Sequence, residues 1–181
     1  MELLLNLELI LLNHQIKQEQ LNVKEITTTS GFVHSKVHIE VVCKRPIHRV
    51  WNYLNRMDTF TKGQIPPYRV EFLPKEGEKE PSFSVGTYNN HHGPFLNLPA
   101  VITNMQKNTY REMRYLYGSY VGSFHLVRPT SLRLTFVKAD NNHTLVIVEL
   151  HSEIRPWLKS TWEFLNMHLW KRFLFPSVLK L

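Results

Sequence analysis

Between residues 33 and 154 hydrophobic and polar residues mostly alternate with a period of two; toward the two ends the period becomes helical. In "FVHSKVHIEVVC", Val33, Val37, Ile39 and Val41 fall on one side, and His34, Lys36, His38 and Glu40 on the other, which predicts a half-buried strand. Pro46 follows, suited to the first turn of a helix, where its missing N–H costs nothing. Ile47, Val50, Trp51 and Leu54 then recur at helical spacing. Asp58 is placed to cap a second short helix, and Gly63 with Pro66 and Pro67 ends it.

Strand signals dominate from there. "YRVEFL" alternates, "PKEGEKEPSFSVG" reads as a solvated, charged hairpin tip, and "GPFLNLP" as a loop. "AVITNMQ" and "TYREMRYLY" are two strands joined by a "KN" turn, and "GSYVG" interrupts before "SFHLVR". The clearest hairpin pairs "SLRLTFVKA" with "HTLVIVELHSEI" around "DNN". Leu132, Leu134 and Phe136 share one face with Val146, Val148, Leu150 and Ile154, whereas Arg133, Thr135, Glu149, His151 and Glu153 take the other. After Pro156 comes a long helix whose stripe is Leu158, Trp162, Leu165, Leu169 and Phe173; Phe164, Trp170 and Phe175 lie off it. A helix so widely apolar needs cover on more than one side.

At the other end, "LILLNHQIKQEQLNV" reads as an amphipathic helix with Leu9, Leu12, Ile16 and Leu21 to one side. The overlapping stretch "MELLLNLELILLNHQ" has no Lys or Arg ahead of its apolar run, Glu8 interrupts that run, and no small-residue cleavage site follows, so it does not read as a secretory signal. An extra helix packed on the domain is the plain reading; a membrane-surface or homo-oligomer contact is the alternative. The expected division is an N-terminal helical extension, 1–30, and a domain, 31–181.

These elements combine as an α+β fold in which a long C-terminal helix covers the apolar face of a curved antiparallel sheet. "VVCKRPIHRVWNYL" resembles the opening strand, proline and helix of the START-like (SRPBCC, birch-pollen-allergen-like) superfamily. In its polyketide cyclase-like members a strand is followed by Pro/Ala-x-x-x-Val-Trp-x-x-Leu, and Pro46, Val50, Trp51 and Leu54 occupy those positions. "MDTFTKGQIPP" looks like the second short helix, with Phe60 where a tryptophan is common, and "GSYVGSFHLVRP" is extra length between central strands. The resemblance spans about residues 33–181. It implies a helix-grip fold with a cavity between sheet and helix that takes lipids, sterols, polyketides or similar apolar molecules.

Composition narrows the chemistry. The chain has 181 residues, 43% hydrophobic, 20% charged and 12% aromatic, as expected of a globular domain. Cys43 is the single cysteine, which excludes an intrachain disulfide and a thiolate cluster and fits a reducing, cytoplasmic setting. The net charge of +7 is uneven: Glu2, Glu8, Glu19 and Glu25 outweigh Lys17 and Lys24 near the start. Near the end Arg155, Lys159, Lys171, Arg172 and Lys180 face only Glu163. An anionic membrane surface suits that balance better than nucleic acid, for which the basic residues are scattered and no motif is present.

No P-loop, G-x-S-x-G, H-E-x-x-H or dinucleotide fingerprint occurs, so no catalytic residue is assigned and no metal or cofactor is expected. Glu149, His151 and Glu153 share an outer face, where pairing with Arg133 explains them. In "YNNHHG", Asn89 and His91 point one way, and would orient an apolar ligand if that set lines the cavity mouth. "YREMRYLY" puts Met113, Tyr115 and Tyr117 on one face with Arg111, and a Tyr or Arg entering the cavity would bind a carboxylate or enolate oxygen. Equally, tyrosines pack their rings and send the hydroxyl to water. The expected ligand-binding set is Asn89, His91, Met113, Tyr115, Tyr117, Phe136, Val148, Trp162, Leu165, His168 and Leu169. The expected function is binding of a hydrophobic or amphipathic small molecule. A cyclase- or aromatase-like enzyme using a cavity His or Tyr, and a membrane or protein-interaction module, are the alternatives.

Overall fold

The structure, a computed structural model, describes residues 30–62, 64 and 66–179, with side chains as far as residue 172. The predicted amphipathic helix near the start, and Phe173 and Phe175, lie outside that description. Strand β1 (Val33–Cys43) leads into helices α1 (Ile47–Leu54) and α2 (Met57–Thr61). Seven strands follow: β2 (Arg69–Leu73), β3 (Tyr88–Gly93), β4 (Leu96–Gln106), β5 (Tyr110–Tyr115), β6 (Tyr120–Val121), β7 (Val127–Lys138) and β8 (Thr144–Ile154). A single 3-10 turn, Pro156–Leu158, opens α3 (Lys159–Leu179).

The eight strands form one antiparallel sheet in the order β1-β8-β7-β5-β4-β3-β2, with the short β6 paired to β4. Register carries one face across the sheet. Ile39 opposes Val148, Val148 opposes Leu134, and Leu134 opposes Arg111. A second row runs Val37, Leu150, Leu132, Met113, Ile102. Irregularities at Ile102–Asn104 and Pro129–Ser131 break the ladders locally and let the sheet bend. This is an α+β helix-grip architecture: a curved antiparallel sheet with a C-terminal helix.

The inner face is covered in sections. Trp51 of α1 stands edge-on to Phe136 at 5.1 Å, and Val50, Trp51 and Leu54 are all buried there. Helix α2 lies against β2, and α3 lies along β1. Buried Ser35 of β1 donates to Glu163 of α3 at 2.9 Å. The outer face is polar, but its pairing differs from expectation. Glu149 meets Lys36 at 2.6 Å, while Arg133 instead lies over the Tyr110 ring at 4.6 Å. "GPFLNLP" is not a loop: Pro94 and Phe95 make a two-residue turn, with Phe95 at φ 59°, and β4 starts at Leu96. Asp58 is not a cap either; Arg56 occupies that place, and the Asp58 carboxylate meets Lys62 at 3.1 Å.

The C-terminal helix differs most from its sequence pattern. Trp162 and Trp170 pack against the core and Asn166 is buried, whereas Leu165 and Leu169 are 56% and 52% exposed. Residues 162, 166 and 170 form one stripe; of the predicted stripe Trp162 belongs to it, while Leu165 and Leu169 lie on its flank. The cause is that α3 sits over the edge strand β1 and not across the middle of the sheet. Burial therefore sets the cost of truncation. Leu134→Ala is expected to lose about 2–5 kcal/mol and Trp162→Ala about 3–5 kcal/mol, whereas Leu165→Ala changes stability by no more than about 0.5 kcal/mol. Urea unfolding of the three variants checks this, and a large loss for Leu165→Ala would mean that α3 faces the sheet differently.

Candidate functional site

Toward β2 the inner face takes on larger polar side chains. A row across β5, β4, β3 and β2 reads Tyr115, Ala100, Asn89, Phe72. The methyl of Ala100 separates the two polar side chains. One row along, His91 opposes Leu98 and Val70. Arg111 lies on the same face of β5 as Met113 and Tyr115, two and four residues away, by strand alternation. It is 2% exposed.

Three phenylalanines surround this polar set. Phe60 of α2, Phe72 of β2 and Phe83 of the β2–β3 connection have ring centroids 5.7–6.2 Å apart. Phe60 also stands edge-on to His91 at 6.4 Å. The guanidinium carbon of Arg111 lies 5.6 Å from the Phe60 ring centre and 5.0 Å from that of Phe83. Phe83 was hidden within a stretch that reads as a solvated tip; an isolated aromatic among its charges was the signal that the tip folds back. Arg111 Nη1 donates to the Leu54 carbonyl at 2.8 Å and to Asn55 Oδ1 at 3.1 Å, fastening the end of α1 to the sheet. Its Nε, and Asn89 Oδ1, are buried without a hydrogen-bond partner among the described residues.

Burial controls the protonation of this set. Desolvation, helped by the positive charges of Arg111 and His92, holds His91 down to about 4, so its ring is neutral at neutral pH. Desolvation pushes Tyr115 up to about 12, against the pull of Arg111. Arg111 itself is lowered to about 10 by burial, an effect that Tyr115 opposes. At pH 7 the group is thus one cation beside a neutral imidazole and a neutral phenol. His91 and Tyr115 each keep some accessible surface.

The other expected ligand residues divide. Asn89, His91, Met113 and Tyr115 stand together on the inner face, and Phe136 and Val148 lie on that face within the core. Trp162 packs against the core from α3. The structure does not bring Tyr117, Leu165, His168 or Leu169 to this place. Tyr117 lies past the end of β5, where Gly118 turns the chain at φ 94°; it is 94% exposed and stands edge-on to Phe124 at 5.3 Å. His168 is exposed on α3, its Nδ1 2.9 Å from the Phe164 carbonyl oxygen.

Elsewhere, a surface depression of about 340 Å³ is lined by residues including Arg114, Tyr117, Phe124, Arg128 and Glu153. His34 Nε2 and His151 Nδ1 lie 3.0 Å apart on the outer face. Among the described residues no group of three or more His, Cys, Asp or Glu is placed to hold a metal ion. Nor is any helix there long and apolar enough to cross a membrane. Cys43 is buried, and that burial raises its thiol to about 11.

The chain matches no family model and no curated protein sequence. Its fold, by contrast, is shared with solved structures. Norcoclaurine synthase from Thalictrum flavum, in complex with dopamine and hydroxybenzaldehyde, aligns with a TM-score of 0.61 at 12% identity, over 87% of this chain and 91% of that one. A protein of unknown function from Staphylococcus aureus aligns at 0.56 and 10% identity, over 84% and 95%. The Aha1 dimer from Colwellia psychrerythraea aligns at 0.52 and 10% identity, over 78% and 91%. Such identities establish fold alone, and that fold is the START-like helix grip.

The neutral His91 has a consequence for stability. Its folded pKa of about 4 lies below the ordinary 6.5, so on acidification the unfolded chain takes up the proton first. Its contribution is fully present above about pH 6.5 and is lost as the pH falls toward about 4. His91→Gln should flatten that part of the pH–stability curve, measured by urea unfolding from about pH 7 to about pH 4. His34 and His151, also lowered mainly by burial, keep part of the slope.

Proposed function

We propose that residues 31–181 form a ligand-binding domain that holds a hydrophobic or amphipathic small molecule, of the lipid, sterol or polyketide kind, against the inner face of the sheet. The supporting observation is the cluster of Asn89, His91, Arg111 and Tyr115 on the inner face beside the rings of Phe60, Phe72 and Phe83. A core built only for stability gains nothing from buried polar atoms without partners, which cost free energy. Binding sites, in contrast, need a few polar groups to orient a mostly apolar guest. Apolar contact with Phe60, Phe72 and Phe83 would supply affinity at roughly 25 cal/mol per Å² buried, reduced by the entropy of association. That norcoclaurine synthase, of the same fold, is seen with two small aromatic molecules agrees with an aromatic-walled site.

One observation favours a second reading, a proton-transferring enzyme of the cyclase or aromatase kind. His91 is neutral at working pH and so available as a proton acceptor, beside a phenol and a cation. On this reading His91→Asn abolishes turnover while leaving binding measurable.

Native mass spectrometry of the purified protein, followed by organic extraction of what travels with it, tests the binding reading. A discrete extra mass that extracts as a lipid, sterol or polyphenol is the expected outcome. A clean protein mass, with no binding across a panel of such compounds, would defeat it.

A further inference from the structure

Resting on the small-molecule reading above, we infer that the ligand is an acid, with an aromatic or similarly flat apolar body, whose anionic group is held by the guanidinium of Arg111.

The argument starts from a charge without a counter-charge. Arg111 is almost fully buried, yet no ion pair among the described residues includes it. The next residue, Glu112, lies on the opposite face of β5 by strand alternation. What the protein offers the cation is partial: the carbonyl of Leu54, the amide oxygen of Asn55, and two phenylalanine faces. Carbonyl dipoles at a helix C-terminus and ring quadrupoles attract a cation, but neither neutralises it. Buried charges are ordinarily paired, because removing an ion from water is costly.

Part of the guanidinium is left without a protein acceptor among the described residues. Its hydrogen bonds to Leu54 and Asn55 both use Nη1; Nε is buried with no partner among the described residues. A guanidinium presents its donors as a planar fork that suits carboxylate, sulfonate or phosphate oxygens. The neighbouring groups suit the same guest, since neutral Tyr115 stands on the same face of β5 and can donate its phenolic hydrogen. The rings of Phe60, Phe72 and Phe83 fix the shape of the rest, a flat apolar body beside the charge.

The competing explanation is a purely structural clamp, with Arg111 present only to fasten α1 to β5. The two ideas separate with a pair of fluorescent probes that share aromatic rings and differ by a sulfonate: anilinonaphthalene sulfonate and phenylnaphthylamine. Both are titrated into the wild-type chain, Arg111→Lys and Arg111→Met, each variant first checked by circular dichroism and urea unfolding. Wild type is expected to bind the sulfonate at least about tenfold more tightly than the neutral probe, in line with a hydrogen bond to a charged group. Arg111→Met should lose that preference while binding the neutral probe within about twofold of wild type, and Arg111→Lys should retain part of it. If Arg111→Met does not fold, thermal stabilisation of wild type by naphthoate against naphthylmethanol reads the same preference.

Equal binding of both probes by wild type, or equal weakening of both in folded Arg111→Met, would overturn the acid-ligand inference and leave the small-molecule reading standing. Equal stabilisation by the acid and the alcohol would do the same. Binding of neither probe, together with a clean native mass, would overturn both.

Discussion

The register of β7 against β8 is the constraint on which the rest depends. Leu132, Leu134 and Phe136 oppose Leu150, Val148 and Val146, and every pair lies on the inner face. Because side chains alternate with a period of two, a slip of one residue would turn the three on the slipped strand to water. The same register then propagates outward. It sets which residues of β1 face in, gives Phe136 to Trp51, and fixes through Leu134 that Arg111 points into the protein. The buried cation is therefore a consequence of sheet register, held by strong apolar pairing on the neighbouring strands.

Across the sheet, two kinds of interior meet. Over β1, β8 and β7 the inner face is mostly aliphatic, with Ser35 and Ser152 among the apolar residues, and is closed by α1 and α3. Over β5, β4, β3 and β2 it acquires Arg111, Tyr115, Asn89 and His91 among aromatic rings. Local rules that agree everywhere specify a stable fold, and places where they disagree tend to be functional. Here the buried charge and the aromatic rings around it fall in one half of one face, although Ser152 Oγ and Trp162 Nε1 in the other half are also buried without a partner among the described residues.

How much of this was legible in the sequence depended on how narrow each apolar pattern was. Strict alternation in β1, β7 and β8 determines a face without outside help, so Val37, Ile39, Leu132, Leu134 and Val148 could be placed from the pattern. In α3 apolar residues surround the axis, so periodicity permits several stripes. The edge position over β1 selects Trp162, Asn166 and Trp170, and no residue type in the helix announces that. Tyr117 was misleading for a different reason: alternation from Arg111 through Met113 and Tyr115 extends to it on paper, but Gly118 ends the strand before it. Phe83 was invisible because its neighbours are charged or small, and only the tertiary return of the chain puts it over Arg111.

The elements that cover the polar set are themselves lightly anchored. Phe60 is carried by a five-residue helix with no buried residue and no side-chain cap, and Phe83 by a connection without regular structure. Such segments open at lower free energy than core strands do. Ring contacts of this kind contribute about 0.5–1.5 kcal/mol each beyond their buried area, far less than the packing around Val146 and Val148. On the acid-ligand reading, a guest's aromatic body would exchange with Phe60 or Phe83 at nearly constant apolar contact. Its acidic group would add the counter-charge that neither phenylalanine supplies. The exchange is then favourable for a charged guest and close to neutral for an uncharged one of the same shape, so selectivity arises from the protein's own unpaired cation and requires no further recognition element.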